Sequence, residues 1–295
     1  MGIVFGMIAA LCLGMSDWCA TRASRLTSPV SVTRTQMVTS GFVAVVALFA
    51  LSSTWSVRDT VLGGLSGAIM TTGLVLLYLG YSKAPVAIVA PTSSVLTGAI
   101  PVAVAIGQGE SPRQWAWAGI ALGLCGIAMA TYTPGGFSAA SAAPSGSDVV
   151  DTASPQPTNV MFGLKLGIAA GLCFGGAFAL VAATSNGAGA TVIVVQRVVG
   201  FVGLTGFWWF KREPFFAPSG PGLKLAAIAG VIAGVALLSL KLGYQRGPDG
   251  SVSVAASQYA TFAVIFAALL LRERPSRLAS LGIACAAAGV AFMSI

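Results

Sequence analysis

One carboxylate lies inside an apolar stretch that is long enough to cross a membrane. Asp17 falls within residues 1–21, and the other seven acidic residues lie in loops or at the ends of the predicted spans. A charged group at that depth is costly and usually serves function. Asp17 is therefore a candidate proton carrier or cation ligand. The alternative is that it lies near the end of its helix, in water, opposite Arg22 or Arg34.

Two arginines occupy equivalent places early in two other apolar stretches. Arg34 lies in residues 30–52 and Arg197 in residues 188–210. A guanidinium group can hold the carboxylate of a solute through two parallel hydrogen bonds. It can also serve as a structural pair or reach the membrane interface along its own stem. Their duplication favours the structural role, because a solute is rarely symmetric.

Polar side chains concentrate in two further apolar stretches, at residues 85–108 and 249–271. The first holds hydroxyl residues between two prolines, and the second holds hydroxyls and an amide. Prolines free backbone carbonyls, and such side chains either satisfy them or face a cavity. Hydrogen bonding between helices is the alternative. The residues most suited to bind a solute are Ser94, Ser257, Gln258 and Tyr259.

Aromatic side chains could line an amphipathic pocket beside these polar groups. The candidates are Trp18, Tyr78, Tyr81, Phe178 and Tyr244. Tyr and Trp near the ends of spans also act as anchors at the membrane interface, so anchoring is the alternative for the residues of those types.

Several classes of chemistry are disfavoured. The chain has no His, which excludes Ser-His-Asp and Cys-His catalysis and any His-ligated metal. No phosphate-binding loop of the G-x-x-x-x-G-K-[ST] type is present, so we expect neither a nucleotide nor another cofactor. A membrane enzyme that acts on lipid would need clustered catalytic groups, and a channel would need continuous polar stripes. We therefore predict a protein that is not an enzyme, with those two classes as alternatives.

The composition indicates a membrane protein. Only 8% of the 295 residues are charged and 56% are hydrophobic, whereas a soluble chain carries about a quarter charged residues. A surface that faces water needs more charge than this, and a surface that faces lipid needs almost none. The net charge of +8 comes from basic residues at the ends of apolar runs. That pattern orients helices in a bilayer and argues against nucleic acid as a partner.

Ten apolar runs have about the 20 residues that a membrane-spanning helix requires. They lie at residues 1–21, 30–52, 60–80, 85–108, 113–133, 161–184, 188–210, 222–244, 249–271 and 275–295. Between the fifth and sixth runs, residues 134–159 are rich in Ser, Ala, Pro and Gly and should form a flexible linker. The predicted organisation is therefore a first unit at 1–133, a linker at 134–159 and a second unit at 160–295.

The second unit repeats the first. A constant offset of 163 residues places Gly243-Tyr244 on Gly80-Tyr81 and Glu273 on Glu110, and an offset of 161 residues places Gly163 on Gly2. Five spans per unit is an odd number, so the second unit must enter the membrane in the opposite orientation. The sequence thus predicts an all-α integral membrane protein of ten transmembrane helices, built as two inverted five-helix repeats, an arrangement that transporters use.

The order of several short motifs is similar to that of EamA-type members of the drug/metabolite transporter superfamily. The motifs are Gly14-Met15-Ser16-Asp17-Trp18 with Arg22, Ser24 and Arg25, then Arg34, Ala84-Pro85-Val86-Ala87, Gly109-Glu110-Ser111-Pro112 and Leu271-Arg272-Glu273-Arg274-Pro275. The resemblance implies a ten-span carrier with a central cavity that exports or exchanges amino acids, metabolites or drugs. The chain departs from the family pattern at Leu13, where a Trp is usual.

From these features we expect a secondary transporter of small organic solutes that works by alternating access. It should be a monomeric multi-pass protein of the plasma or inner membrane, and should export solutes such as amino acids. Two predictions about its orientation conflict. Lys and Arg concentrate on the side opposite the N-terminus, which predicts both termini outside the cell. The family resemblance implies that both termini lie in the cytoplasm.

Overall fold

The computed structural model describes residues 1–51, 53–83, 86–111, 114–131, 160–208, 215–216, 219–271 and 276–294. These residues form eleven α-helices, one short 3-10 turn at Asn186–Ala188, and no β-strand. The helices are α1 (Gly2–Leu26), α2 (Pro29–Ala50), α3 (Val57–Lys83), α4 (Val86–Gly107), α5 (Gln114–Thr131), α6 (Val160–Ala182), α7 (Thr191–Trp208), α8 (Pro221–Tyr244), α9 (Asp249–Ser257), α10 (Tyr259–Leu271) and α11 (Arg277–Ser294).

Each apolar run of the sequence corresponds to one helix, except that the ninth run forms two helices, α9 and α10, that meet at Gln258. Within the described residues, five helices are both long and apolar enough to cross a membrane: Gly2–Ser24, Val30–Ala50, Val57–Leu77, Met161–Ala182 and Pro221–Tyr244. Shorter apolar helices cover Thr92–Gly107, Gln114–Ala130, Thr191–Gly206 and Arg277–Met293. The predicted linker at 134–159 lies outside the described residues.

Local sequence sets several helix starts. Proline occupies the first turn of α2 and of α8, where its missing N–H would have no partner in any case. At the start of α11 the Ser276 hydroxyl accepts a hydrogen bond from the Ala279 amide at 3.1 Å. Glu110 belongs to a motif typical of a helix start. Its carboxylate instead accepts a hydrogen bond from the Gly250 amide at 3.3 Å, at the beginning of α9 in the other half.

The most extensive helix contacts join the two halves of the chain. α1 packs along α8, α6 packs along α3 and α4, and α5 packs along α11. These contacts occur in matching pairs. In the sequence repeat α1 corresponds to α6 and α8 corresponds to α3, so the α1–α8 contact matches the α6–α3 contact. The same holds for α2 on α8 and α7 on α3. The buried surface of each half is therefore supplied mostly by the other half.

Individual hydrogen bonds follow the same exchange. The Ser16 hydroxyl on α1 donates to the Ala229 carbonyl on α8 at 2.9 Å. The equivalent contact joins the Ser66 hydroxyl on α3 to the Ala177 carbonyl on α6, also at 2.9 Å. By the offsets of the sequence repeat, Ala177 stands at the position of Ser16 and Ala229 at that of Ser66. The same two repeat positions are thus hydrogen-bonded in both contacts. The serine donor lies on α1 in the first contact and on α3, the counterpart of α8, in the second.

Glycines allow α5 and α11 to approach closely. A Cβ atom on Gly126 would lie 2.5 Å from the Ala286 amide nitrogen, and one on Gly289 would lie 2.5 Å from the Gly123 amide nitrogen. Gly126 and Gly289 are equivalent positions in the repeat. Close backbone contact through small residues is the usual way in which helices associate in lipid.

Candidate functional site

The polar parts of α4 and of the α9–α10 break meet in the middle of the helix assembly. A Cβ atom on Gly98 would lie 2.6 Å from the Ser257 hydroxyl oxygen, so only glycine permits this approach of α4 to α9. α9 ends at Ser257 and α10 begins at Tyr259, with Gln258 between them. A break of this kind brings side-chain hydroxyls and freed backbone groups together at one level.

Tyr259 is the centre of a hydroxyl network at this crossing. Its phenol is hydrogen-bonded to the side chains of Ser94 and Thr97, which are 5% and 1% exposed. The Thr97 hydroxyl also contacts the Ser93 carbonyl at 2.8 Å within its own helix. Two helices of opposite halves, α4 and α10, are therefore joined by side-chain hydroxyls.

Asp17 reaches the same network from α1. Its carboxylate is within electrostatic interaction distance of Tyr259, and its side chain is exposed rather than sealed in the core. The structure therefore brings together three residues that the sequence singled out: Asp17, Ser94 and Tyr259. A carboxylate beside hydroxyl groups can bind the polar groups of a solute, and it can take up a proton.

Ser257 and Gln258 lie at the crossing but are occupied by structural contacts. The Ser257 hydroxyl donates to the Val254 carbonyl at 2.8 Å. The Gln258 amide donates to the Gly123 carbonyl at 3.3 Å and accepts from the Thr261 hydroxyl at 3.2 Å. Gln258 thereby connects the α9–α10 break to α5, and both side chains are buried.

Phe178 and Tyr244 lie in an apolar cluster instead of beside Asp17. They are 4% and 6% exposed, and they share this cluster with Ile193, Leu240 and Val252. The Tyr244 hydroxyl is 2.9 Å from the Ser253 hydroxyl. Both aromatics therefore pack as core residues.

The remaining aromatic candidates lie on α1 and α3. The Trp18 ring is partly buried, and the Arg22 guanidinium carbon lies 4.9 Å from its centroid, one helical turn further along α1. The Trp18 ring therefore packs against a cation of its own helix. Tyr78 and Tyr81 belong to α3, and their side chains are outside the described part of the structure.

The two repeated arginines contact different neighbours. Arg34 on α2 is 3% exposed, and its guanidinium carbon lies 4.9 Å from the Phe215 ring centroid. Arg197 on α7 donates to the Gln196 side chain at 3.3 Å and contacts the Met70 sulfur at 3.4 Å. Both guanidinium groups therefore have packing contacts, and the binding of a solute carboxylate by either of them stays a prediction.

The sequence did not single out a second polar cluster. Asp59 on α3 and Lys241 on α8 are each 2% exposed. They meet at the turn that follows α6, where Ser185 contacts the Asp59 carboxylate and the Lys241 ammonium group bonds backbone oxygens. One signal was present: Lys241 falls three residues inside an apolar run, and Asp59 stands just before another. Only the fold shows that they lie together.

Comparisons with known proteins agree with this architecture. Residues 161–295 match the sequence profile of the EamA-like transporter family. The match covers the second unit, so the resemblance to EamA-type transporters is confirmed on that half of the chain. The family and the apolar helices together point to a multi-pass membrane protein.

A solved crystal structure of another protein shares the fold. It superposes with a TM-score of 0.75 at 17% sequence identity, and the alignment covers 100% of this chain and 98% of that chain. At this identity the likeness extends to the fold alone. No curated protein matches the chain.

Proposed function

We propose that this chain is a secondary transporter that exports or exchanges small organic solutes, such as amino acids, related metabolites or drugs. The observation that carries the proposal is the crossing of α4 with the α9–α10 break, where Ser94, Thr97 and Tyr259 join the two halves beside Asp17. Transporters place their solute site between two repeats, often at helices that are interrupted. The match of the second half to a transporter family supports the same conclusion.

The proposed architecture is ten membrane spans in two inverted five-helix repeats, residues 1–133 and 160–295, joined by the linker 134–159. The exchange of helix contacts between the halves supports it. So does the paired bridging of Ser16 to Ala229 and of Ser66 to Ala177. In such a protein the halves can exchange conformations, and one central site is then exposed to each side of the membrane in turn.

Asp17, Ser94 and Tyr259 form the core of the proposed solute site, and Asp17 is the proposed coupling residue for protons. Ser257 and Gln258 hold the crossing in shape, and Phe178 and Tyr244 support it from the core. Tyr78 and Tyr81, one helical turn apart on α3, are proposed to line the cavity. The proposed location is the plasma or inner membrane, with a monomer as the working unit and no nucleotide to drive transport.

Counterflow in proteoliposomes tests the proposal. Vesicles are loaded with a mixture of amino acids, small metabolites and cationic drugs, and exchange is read by mass spectrometry. We expect saturable exchange of one solute class. Asp17→Asn should lower it by about tenfold or more, because a charged hydrogen-bonding group contributes about 1.5–3 kcal/mol. Ser24→Ala, on the same helix as Asp17 and bonded to the Ala20 carbonyl one turn back, is the control and should retain exchange.

The pH dependence of exchange separates coupling from binding. If Asp17 carries protons, the wild type should respond to a pH gradient and Asp17→Asn should not. Exchange without pH dependence in both proteins would remove the coupling role. No exchange of any solute by folded protein would contradict the carrier and favour the lipid-enzyme or channel alternatives. A reporter fused to Ile295 decides the orientation, since a cytoplasmic signal would overturn the charge count.

A further inference from the structure

The buried charges Asp59 and Lys241 are both satisfied by the turn that follows α6. The Lys241 ammonium group donates to the Thr184 hydroxyl at 2.6 Å, the Thr184 carbonyl at 3.2 Å and the Ser185 carbonyl at 3.0 Å. The Asp59 carboxylate accepts from the Ser185 amide at 2.9 Å and from the Ser185 hydroxyl at 2.5 Å. Buried charges persist only with such complete hydrogen bonding.

This cluster connects the two halves. Asp59 belongs to the first half, and Thr184, Ser185 and Lys241 belong to the second. Lys241 also interacts electrostatically with Asp59 and with Asp249 at the start of α9. The turn after α6 is therefore held from one side by the carboxylate of the first half and from the other by the ammonium group of its own half.

Two further hydrogen bonds between the halves lie beside the cluster. The Thr54 amide donates to the Gly187 carbonyl at 2.7 Å. The Ala190 amide donates to the Ser53 hydroxyl at 3.1 Å. The loop between α2 and α3 is thereby fastened to residues 183–190, and the halves are in contact at this face of the molecule.

The charges have no equivalents in the other half. The offset of the sequence repeat places Gly222 at the position of Asp59 and Tyr78 at the position of Lys241. An inverted repeat would put those equivalents at the opposite face. This pair of charges is therefore not repeated at the equivalent positions.

We propose that Asp59, Ser185 and Lys241 form a polar latch that keeps the two halves closed at the face where the α2–α3 loop meets residues 183–190. This inference rests on the proposed function, because a closed face has a mechanistic meaning only in a carrier that alternates. The latch stabilises the conformation closed at this face, and it must break before a solute can pass through it.

Hydrogen–deuterium exchange of the full-length protein in lipid nanodiscs tests the latch. The reporters are the amides of Thr54 and Ala190, because neither bonds Asp59 or Lys241. We expect Lys241→Met to accelerate exchange at both by about tenfold or more, and Asp59→Asn somewhat less, since local opening sets amide exchange. The matched control is Lys224→Met, the same substitution at an exposed position in the first turn of α8, at the opposite end of that helix from Lys241, which should change exchange less than about twofold.

A double variant guards against misfolding. Asp59→Asn combined with Lys241→Met removes both charges of the pair together, so that neither is left without the other, and it should still accelerate exchange at Thr54 and Ala190. Amides in the α5–α11 contact should be unchanged and serve as the internal reference. Acceleration confined to Ser185, or equal acceleration throughout the molecule, would overturn the latch.

Counterflow on the same preparations keeps the two hypotheses separate. If the wild type transports solute but the variants leave hydrogen–deuterium exchange unchanged, the latch is rejected and the carrier is retained. If the variants accelerate hydrogen–deuterium exchange but the protein transports no solute, the cluster still holds the two halves together and the carrier is rejected.

Discussion

Helices α1 and α6 occupy equivalent places in the two halves, but they carry different chemistry. α1 lies along α8, and α6 lies along α3, with one bridging hydroxyl in each contact. On α1 the exposed Asp17 reaches the hydroxyl network of Tyr259. The equivalent residue on α6 is Phe178, which is buried among aliphatic side chains. The packing is shared by the halves, while the carboxylate belongs to one of them.

The latch shows the same division. Its carboxylate and ammonium group are present on one face only, although the helices that carry them have counterparts in the other half. In the proposed carrier, shared packing would allow two conformations of similar kind, as alternating access requires. Unequal charges would make those conformations unequal in free energy and would favour one of them at rest.

The largest expected effect tests the shared packing. Gly126→Val and Gly289→Val each place a side chain on backbone atoms 2.5 Å from the new Cβ. We expect each to lower the free energy of unfolding by about 3 kcal/mol, the upper range for overpacking. The two losses should be similar because the positions are equivalent. Thermal or denaturant unfolding in mixed micelles measures them.

Gly203→Val is the control for that pair. A Cβ atom on Gly203 has no neighbouring atom within 4 Å, so the same substitution on α7 should cost less than about 1 kcal/mol. A loss at Gly126 with none at Gly289 would contradict the equivalence of the two halves at this contact.

A pair of tyrosines sharpens the contrast between the site and the core. Tyr259→Phe removes the hydroxyl that is hydrogen-bonded to Ser94 and Thr97. Tyr244→Phe removes the hydroxyl that is hydrogen-bonded to Ser253. Each should lower the free energy of unfolding by about 1 kcal/mol, the usual contribution of a hydrogen bond. Only Tyr259→Phe should also lower solute exchange, by about tenfold, because its hydroxyl belongs to the proposed site.

Counterflow and unfolding of the same preparations measure both effects. If Tyr244→Phe reduced exchange as strongly as Tyr259→Phe, the apolar cluster around Tyr244 would have to be part of the solute path. If neither did, the hydroxyl network would be a packing contact between α4 and α10.

Much of the helix layout could be predicted from the sequence, because most apolar runs are bounded at one or both ends by Pro, Gly or charged residues. The break at Gln258 was not predicted, since an uninterrupted run of suitable length gives no sign of it. Ser94 and Tyr259 stood out because polar residues are rare in these runs. The sequence alone did not distinguish Tyr244 from Tyr259, because whether a buried aromatic faces a cavity or a core depends on neighbours from other helices.

Charges near the ends of helices were the hardest to interpret. Lys241 resembled a residue that sets membrane orientation, and Asp59 resembled a residue outside its span. Their partnership runs through Ser185, more than fifty residues from either, so no local pattern could reveal it. Glu110 belongs to a motif typical of a helix start, and its contact with the Gly250 amide of α9 likewise depends on how the halves assemble.

The smallest effect tests the symmetry most closely. Ser16→Ala removes the donor to the Ala229 carbonyl and the acceptor of the Gln36 amide, a bond of 2.8 Å. Ser66→Ala does the same to the Ala177 carbonyl and the Gln196 amide, a bond of 2.7 Å. Ser66→Ala leaves the buried Gln196 amide short of a partner and Ser16→Ala leaves the partly buried Gln36 amide short of one, so each should cost about 1–2 kcal/mol of unfolding free energy.

Ser24→Ala is the matched control, because its hydroxyl donates to the Ala20 carbonyl one turn back in α1, and this is its one hydrogen bond within the described residues. The bond stays inside one helix, so its loss should cost less than about 0.5 kcal/mol. Equal losses at Ser16 and Ser66, measured by unfolding in mixed micelles, would mean that the two bridges contribute alike whichever helix supplies the donor. A loss at Ser66 no larger than that at Ser24 would mean that the α3–α6 contact is held by its apolar surface. The two halves would then share the packing of their helices, while the hydrogen bonds between those helices would contribute unequally to stability.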